Sequence, residues 1–133
     1  MTFAEIETAL GQHLRDVVSP AIPIAWPSFD FVPSGPYVEF RHAPASVTNI
    51  TLTGNYSTQR GIVLATVVER AGQFSTEANR AAQIIAGGFP MGLRLTIPGG
   101  KIVIISPPEP APVFIDGAYI RLPVRVSYMT ERL

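Results

Sequence analysis

Residues 119–128 read YIRLPVRVSY. In an extended chain Ile120, Leu122, Val124, Val126 and Tyr128 point one way, while Arg121, Arg125 and Ser127 point the other. Period-two alternation of this kind marks a strand with one face on a core. Pro123 lies on the polar side and has no N–H to give a central ladder, so an edge or a bulge is expected there. A second stretch, GIVLATVVER at 61–70, is nearly all apolar and rich in Val, Ile and Thr. It reads as a central strand covered on both faces, ended by Ala71-Gly72.

Shorter strands lie around these two. Tyr37–His42 alternates Val38 and Phe40 against Glu39 and Arg41, and Val47–Thr53 sets Ile50 and Leu52 against Asn49, Thr51 and Thr53, with Gly54-Asn55 as a turn signal. Leu93–Ile97 and Lys101–Ile105 flank the turn Pro98-Gly99-Gly100, and residues 106–112 form a proline-rich connection. Residues 20–36 hold Pro20, Pro23, Pro27, Pro33 and Pro36, an extended path with a short strand at Ile22–Trp26. Its apolar members Ile24, Trp26, Phe29 and Phe31 have to pack somewhere.

Two segments read as helices. Thr2 and Glu5 form a T-x-x-E capping box, and Phe3, Ile6, Leu10, Leu14 and Val17 give one apolar face before Ser19-Pro20 stops the helix. From Thr76 to about Ala86, with Ser75 as N-cap, the residues Ala78, Ala81, Ala82 and Ile85 form a buried stripe, and Gly87-Gly88 are expected to end the helix through positive φ. An alanine stripe permits close approach to a sheet or to another subunit. The order helix, strands, helix, strands predicts an α+β fold in one domain spanning 1–133, with two helices packed on a mostly antiparallel or mixed sheet.

Composition narrows the function. Ten basic and ten acidic residues cancel, and Lys101 is the only lysine. A dedicated nucleic-acid binder or a protein held on an anionic membrane carries a basic excess that is missing here. Charged residues make up 15% of the chain, against ~25% in an average protein. Such a chain has either a well-filled core or apolar surface that a partner covers. Cysteine is absent, which fits a reducing compartment. The N-terminal residues lack the basic and apolar regions of a signal peptide, and no apolar run approaches the ~20 residues of a membrane span, so synthesis in the cytoplasm is expected.

The search for catalytic chemistry yields nothing organised. His13 and His42 are the only histidines, and neither has a carboxylate at metal-ligand spacing. Glu5 and Glu7 point apart on a helix, and Asp30, Glu39, Glu69 and Asp116 sit on separate elements that only the fold could unite. The glycine pairs match no phosphate-binding motif. No catalytic, cofactor or metal residues are assigned, and no cofactor is expected.

These features together resemble the tail terminator proteins of long-tailed phages and gene transfer agents. The resemblance runs from the N-terminal helix through the IAWP of 24–27, PYVEF of 36–40, QRGIVLATVV of 59–68, ANRAAQIIA of 78–86, Phe89 and DGAY of 116–119 to LPVRVSY of 122–128. It rests on their order and spacing. It implies a structural virion protein that forms a homo-hexameric ring on the head-proximal end of the tail tube. That ring stops tube growth and joins the tail to a head-side connector or stopper protein, while DNA passes through the lumen unread. A neck or tail-completion protein is the nearest alternative, and a small ligand-binding domain or enzyme ranks below it. Ring subunits need two different contact faces. Segments 27–36, 43–59 and 106–116 are candidate arms, and Trp26, Phe29, Phe31, Tyr56, Arg60, Arg121 and Arg125 are candidate contact residues.

Overall fold

The computed structural model describes residues 2–18, 22–26, 36–49, 57–71 and 76–132. The first helix, α1 (Phe3–Val18), starts at the capping box: Thr2 N–H donates to Glu5 Oε1 at 2.9 Å and Glu5 N–H donates to Thr2 Oγ1 at 3.1 Å. These bonds to Thr2 hold the Glu5 carboxyl below its ordinary range. Ile6, Leu10, Leu14 and Val18 are buried at four-residue steps, and Val17 packs at the margin of the core.

A short parallel strand, β1 (Ile24–Ala25), lies beside β2 (Tyr37–Asn49), which runs back as β3 (Ser57–Arg70). After α2 (Thr76–Gly88) come the hairpin β4 (Arg94–Ile97) and β5 (Gly100–Ile104), two short strands β6 (Glu109–Pro110) and β7 (Phe114–Asp116), and finally β8 (Tyr119–Arg132). The sheet order is β1-β2-β3-β8-β5-β4, with β6 and β7 also paired to β8. This is an α+β fold with a mixed sheet, antiparallel except at β1.

Both helices contribute to one core on one face of the sheet. Val38 and Phe40 of β2, Val63, Ala65 and Val67 of β3, Ile102 and Ile104 of β5, and Ile120, Leu122, Val124, Val126 and Tyr128 of β8 meet the helices there. Full burial of a Leu, Ile or Phe side chain stabilises by about 1.5–3 kcal/mol, so this face dominates the energetics. Ala78, Ala81 and Ala82 let α2 lie close to it. At the far end of α2 a Cβ on Gly88 would stand within 2.4 Å of Val17, so only glycine permits this approach of the helices.

Several expectations need correction. Tyr37–His42 and Val47–Asn49 belong to one strand, and 50–53 lie outside the described residues. That strand runs through to Asn49, and a register shift between Pro44 and Ser46 absorbs the proline. The segment 43–59 is therefore largely paired β2 and β3 rather than a loop, with 50–56, including the turn expected at Gly54-Asn55, outside the described residues. Ser75 also lies outside them. Gly87 and Gly88 complete α2 instead of ending it, because positive φ occurs at Gly92, Gly99 and Gly117 and not at this pair. The central strand β3 carries helices on one face only. The proline-rich connection contains β6.

Pro123 resolves into a local edge within a central strand. Its carbonyl accepts from Ala111 N–H at 2.8 Å, so its backbone faces the gap between β6 and β7, where no ladder donor is required.

Candidate assembly surface

The sheet face away from the helices is set by the strand registers, and five rows cross it. At one end Arg60, Met129, Val103 and Arg94 stand side by side; next come Ala43, Ile62 and Ser127; then Arg41, Leu64, Arg125 and Glu109. Glu39, Thr66 and Pro123 form the fourth row, and Tyr37, Val68, Arg121 and Phe114 the last. Ile62, Leu64 and Met129 are half-buried, whereas Arg41, Arg60 and Arg125 are exposed. The surface is an apolar centre with arginines around it, a composition common at protein contacts.

Arg121 joins two acids from separate elements. Its Nη1 donates to Glu39 Oε2 at 2.7 Å and its Nε to Asp116 Oδ2 at 2.8 Å. The bond to Glu39 is the main reason its guanidinium is held still more firmly protonated than usual. Burial, with the Glu39 charge second, raises the Tyr37 phenol beside it. The arrangement locks β2, β7 and β8 together at one end of the face.

On the opposite face the fold unites three residues far apart in sequence. The His42 side chain is only 2% exposed, with Nδ1 at 3.3 Å from Glu7 Oε1 and Nε2 at 2.5 Å from the Tyr128 hydroxyl. Burial lowers the His42 pKa more than Glu7 raises it, so the ring is neutral near pH 7. A carboxylate can only accept, which assigns the proton to Nδ1 and leaves Nε2 to accept from the Tyr128 O–H. Burial, with Glu7 adding to it, pushes the Tyr128 phenol up to about 12. Below them Gly61 gives Tyr128 room: a Cβ there would lie 2.6 Å from the hydroxyl and 2.9 Å from the Ala43 carbonyl oxygen. His13 is also tied down, with Nε2 2.6 Å from the Gly88 carbonyl oxygen and its ring edge-on to Phe89 at 4.8 Å. Both histidines thus act as structural joints between elements.

Of the contact residues expected from sequence, Trp26 lies half-buried with its ring 5.5 Å from that of Phe40 and close over Gly11. Arg60 and Arg125 stand exposed on the helix-free face, and Arg121 is held by its two acids. Phe29, Phe31 and Tyr56 lie outside the described residues. A shallow depression between α1 and the β4–β5 turn is lined by Ala4, Glu5, Thr8, Ala9, Ile97 and Pro98. It holds no converging set of titratable groups. Among the described residues no cluster of three His, Asp or Glu is placed to hold a metal ion, and no helix is long and apolar enough to cross a membrane.

The profile of the phage tail terminator protein family matches residues 5–128. The chain belongs to the phage tail terminator family. As a terminator it is a structural component of the virion tail, in a family not expected to be enzymatic. Its fold recurs in solved structures. One is 24% identical with a TM-score of 0.83, covering 100% of this terminator and 98% of the other chain. Another, a chain in the virion of a native gene transfer agent (GTA) particle, is 16% identical with a TM-score of 0.67, covering 98% of the terminator and 99% of that chain. At these identities the likeness is one of fold. No curated protein gives a significant match.

Proposed function

We propose that six copies of this terminator form a ring on the head-proximal end of the tail tube. The ring stops tube polymerisation and offers its other side to the head-side connector or stopper protein. The match over residues 5–128 to the terminator family carries the reading. The helix-free sheet face supports it as a contact surface of the right composition. The hairpin β2–β3 also supports it: past Gln59, whose N–H donates to Thr130 Oγ1 of β8 at 3.0 Å, it continues as a two-stranded arm through Asn49 and Ser57. A two-stranded ribbon is marginal on its own and gains stability by packing on a neighbour. DNA passes through the lumen without being read, consistent with a chain of zero net charge.

The test is direct. Purified protein is added to polymerising tail tube protein and the tubes are imaged by electron microscopy. Tubes that stop growing, with a ring of density on one end, support the reading. Tubes that lengthen uncapped while both proteins are folded overturn it in favour of a head-side role.

A further inference from the structure

We infer that β7 is a docking strand for a second copy of this chain, its outer edge at Phe114–Asp116 adding to the edge of the neighbour's β2 between Phe40 and Ala43. The inference rests on the ring reading and names the contact that would build the ring.

The first observation is exposure. Val113, Phe114 and Ile115 are consecutive apolar residues at 37%, 48% and 75% relative exposure. Phe114 and Ile115 lie on β7, with Val113 just before it, and β7 pairs with β8 alone, so its other edge presents backbone donors and acceptors with no ladder partner among the described residues. An exposed apolar edge strand is a template for another strand, and proteins that keep one exposed in the monomer use it or aggregate through it.

The second observation identifies the occupant. The opposite margin of the same sheet carries an edge that no strand covers among the described residues. Strand β1 covers β2 at Val38 and Glu39, and the bulge at Pro44 disrupts the ladder beyond, which leaves Phe40 to Ala43 without a strand on this side among the described residues. That window spans four residues and accommodates the three of β7. Charge matches as well. Arg41 is exposed on the helix-free face, and so are Asp116 and Glu109 on the margin near β7. Pairing the two edges on this face sets Arg41 of one copy opposite Asp116 of the next, a favourable cross-strand pairing. The two edges are different surfaces, so the contact is head-to-tail, the type from which closed rings are built.

The chain has no cysteine, so disulfides form only where cysteines are introduced. Phe114→Cys protein is mixed under mild oxidation with Arg41→Cys protein and, separately, with Ala43→Cys protein. The two mixtures sample alternative registers on one face, and directly opposed strand residues lie within the Cα separation a disulfide needs. Native mass spectrometry and images of capped tubes follow ring formation in parallel. The expected result is a covalent dimer in one mixture and none from any single variant alone. In addition, Ile115→Glu should weaken self-association at least tenfold while its melting temperature stays at that of the unmodified chain. Rings that form without cross-links in either mixture would show that other edges meet, and Phe114→Cys linking to itself would show a two-fold contact. Either result overturns the inference and leaves the ring standing. If the unmodified chain forms no ring in solution or on tubes, the ring reading falls and this contact falls with it.

Discussion

Replacing Gly61 by alanine tests the joint between the hairpin and the strand β8. The new Cβ would sit 2.6 Å from the Tyr128 hydroxyl, 2.8 Å from its Cζ and 2.9 Å from the Ala43 carbonyl oxygen. Tyr128 cannot swing away freely, because its hydroxyl bonds His42, nor can the carbonyl, which belongs to the paired strand β2. Overpacking of this kind costs about 1–3 kcal/mol, and displacing the His42–Tyr128 bond adds about 1 kcal/mol. The sum, about 2–4 kcal/mol, corresponds to a fall of about 6–16 °C in melting temperature for a domain of this size. Thermal and urea unfolding of Gly61→Ala measure it. Tyr128→Phe removes the nearest atom, so Gly61→Ala should cost at least about 1 kcal/mol less in the Phe background. A melting shift under about 2 °C, or the same cost in both backgrounds, would refute the packing described here.

The neutral His42 predicts acid sensitivity. Its pKa is lowered in the fold, so the stability it contributes is fully present above its unfolded value of ~6.5 and is lost as pH falls through the lowered folded value. Denaturation curves across that range should show His42→Gln losing stability less steeply than the unmodified chain. Tyr128 has the opposite sign: its contribution is present below ~10 and is lost as pH rises toward about 12, and its phenolate absorbance should appear only near the upper value. Glu39→Gln should cost about 1 kcal/mol, modest because the pair is partly solvated and Arg121 keeps Asp116, and a double-mutant cycle with Arg121→Met should register the coupling. Gly88→Ala, pressed on Val17, should destabilise by about 1–3 kcal/mol in urea unfolding.

Periodicity made most of the framework legible. The alternation of 119–128 and the apolar run of 61–70 mark the paired strands β8 and β3 at the middle of the sheet, and the capping box at Thr2 marks the start of α1. Fold class followed from element order. Local signals failed where tertiary pairing decides. Pro44 looked like a strand end, yet a bulge carries β2 past it. Gly87-Gly88 looked like a stop, yet both are helical, and the close approach of Val17 calls for glycine at Gly88 alone. The Glu7–His42–Tyr128 joint was missed because its members are separated by long stretches of chain. One clue was available: His42 continues the inward series Val38, Phe40, which sets it on the core side. The apolar run Val113–Ile115 was likewise visible, but its exposure depends on β7 having a partner on one side only.

Strand β8 is hydrogen-bonded to β3, β5, β6 and β7, and it follows all of them in the chain. During synthesis, therefore, none of those ladders can close until residues 119–132 have left the ribosome. Before that point β3 has only β2 as a strand neighbour among the described residues, and the nascent chain holds its future centre open. Maturation of the sheet is a late, concerted event governed by long-range pairing, and a chain stalled before Tyr119 would be a ready client for holding chaperones.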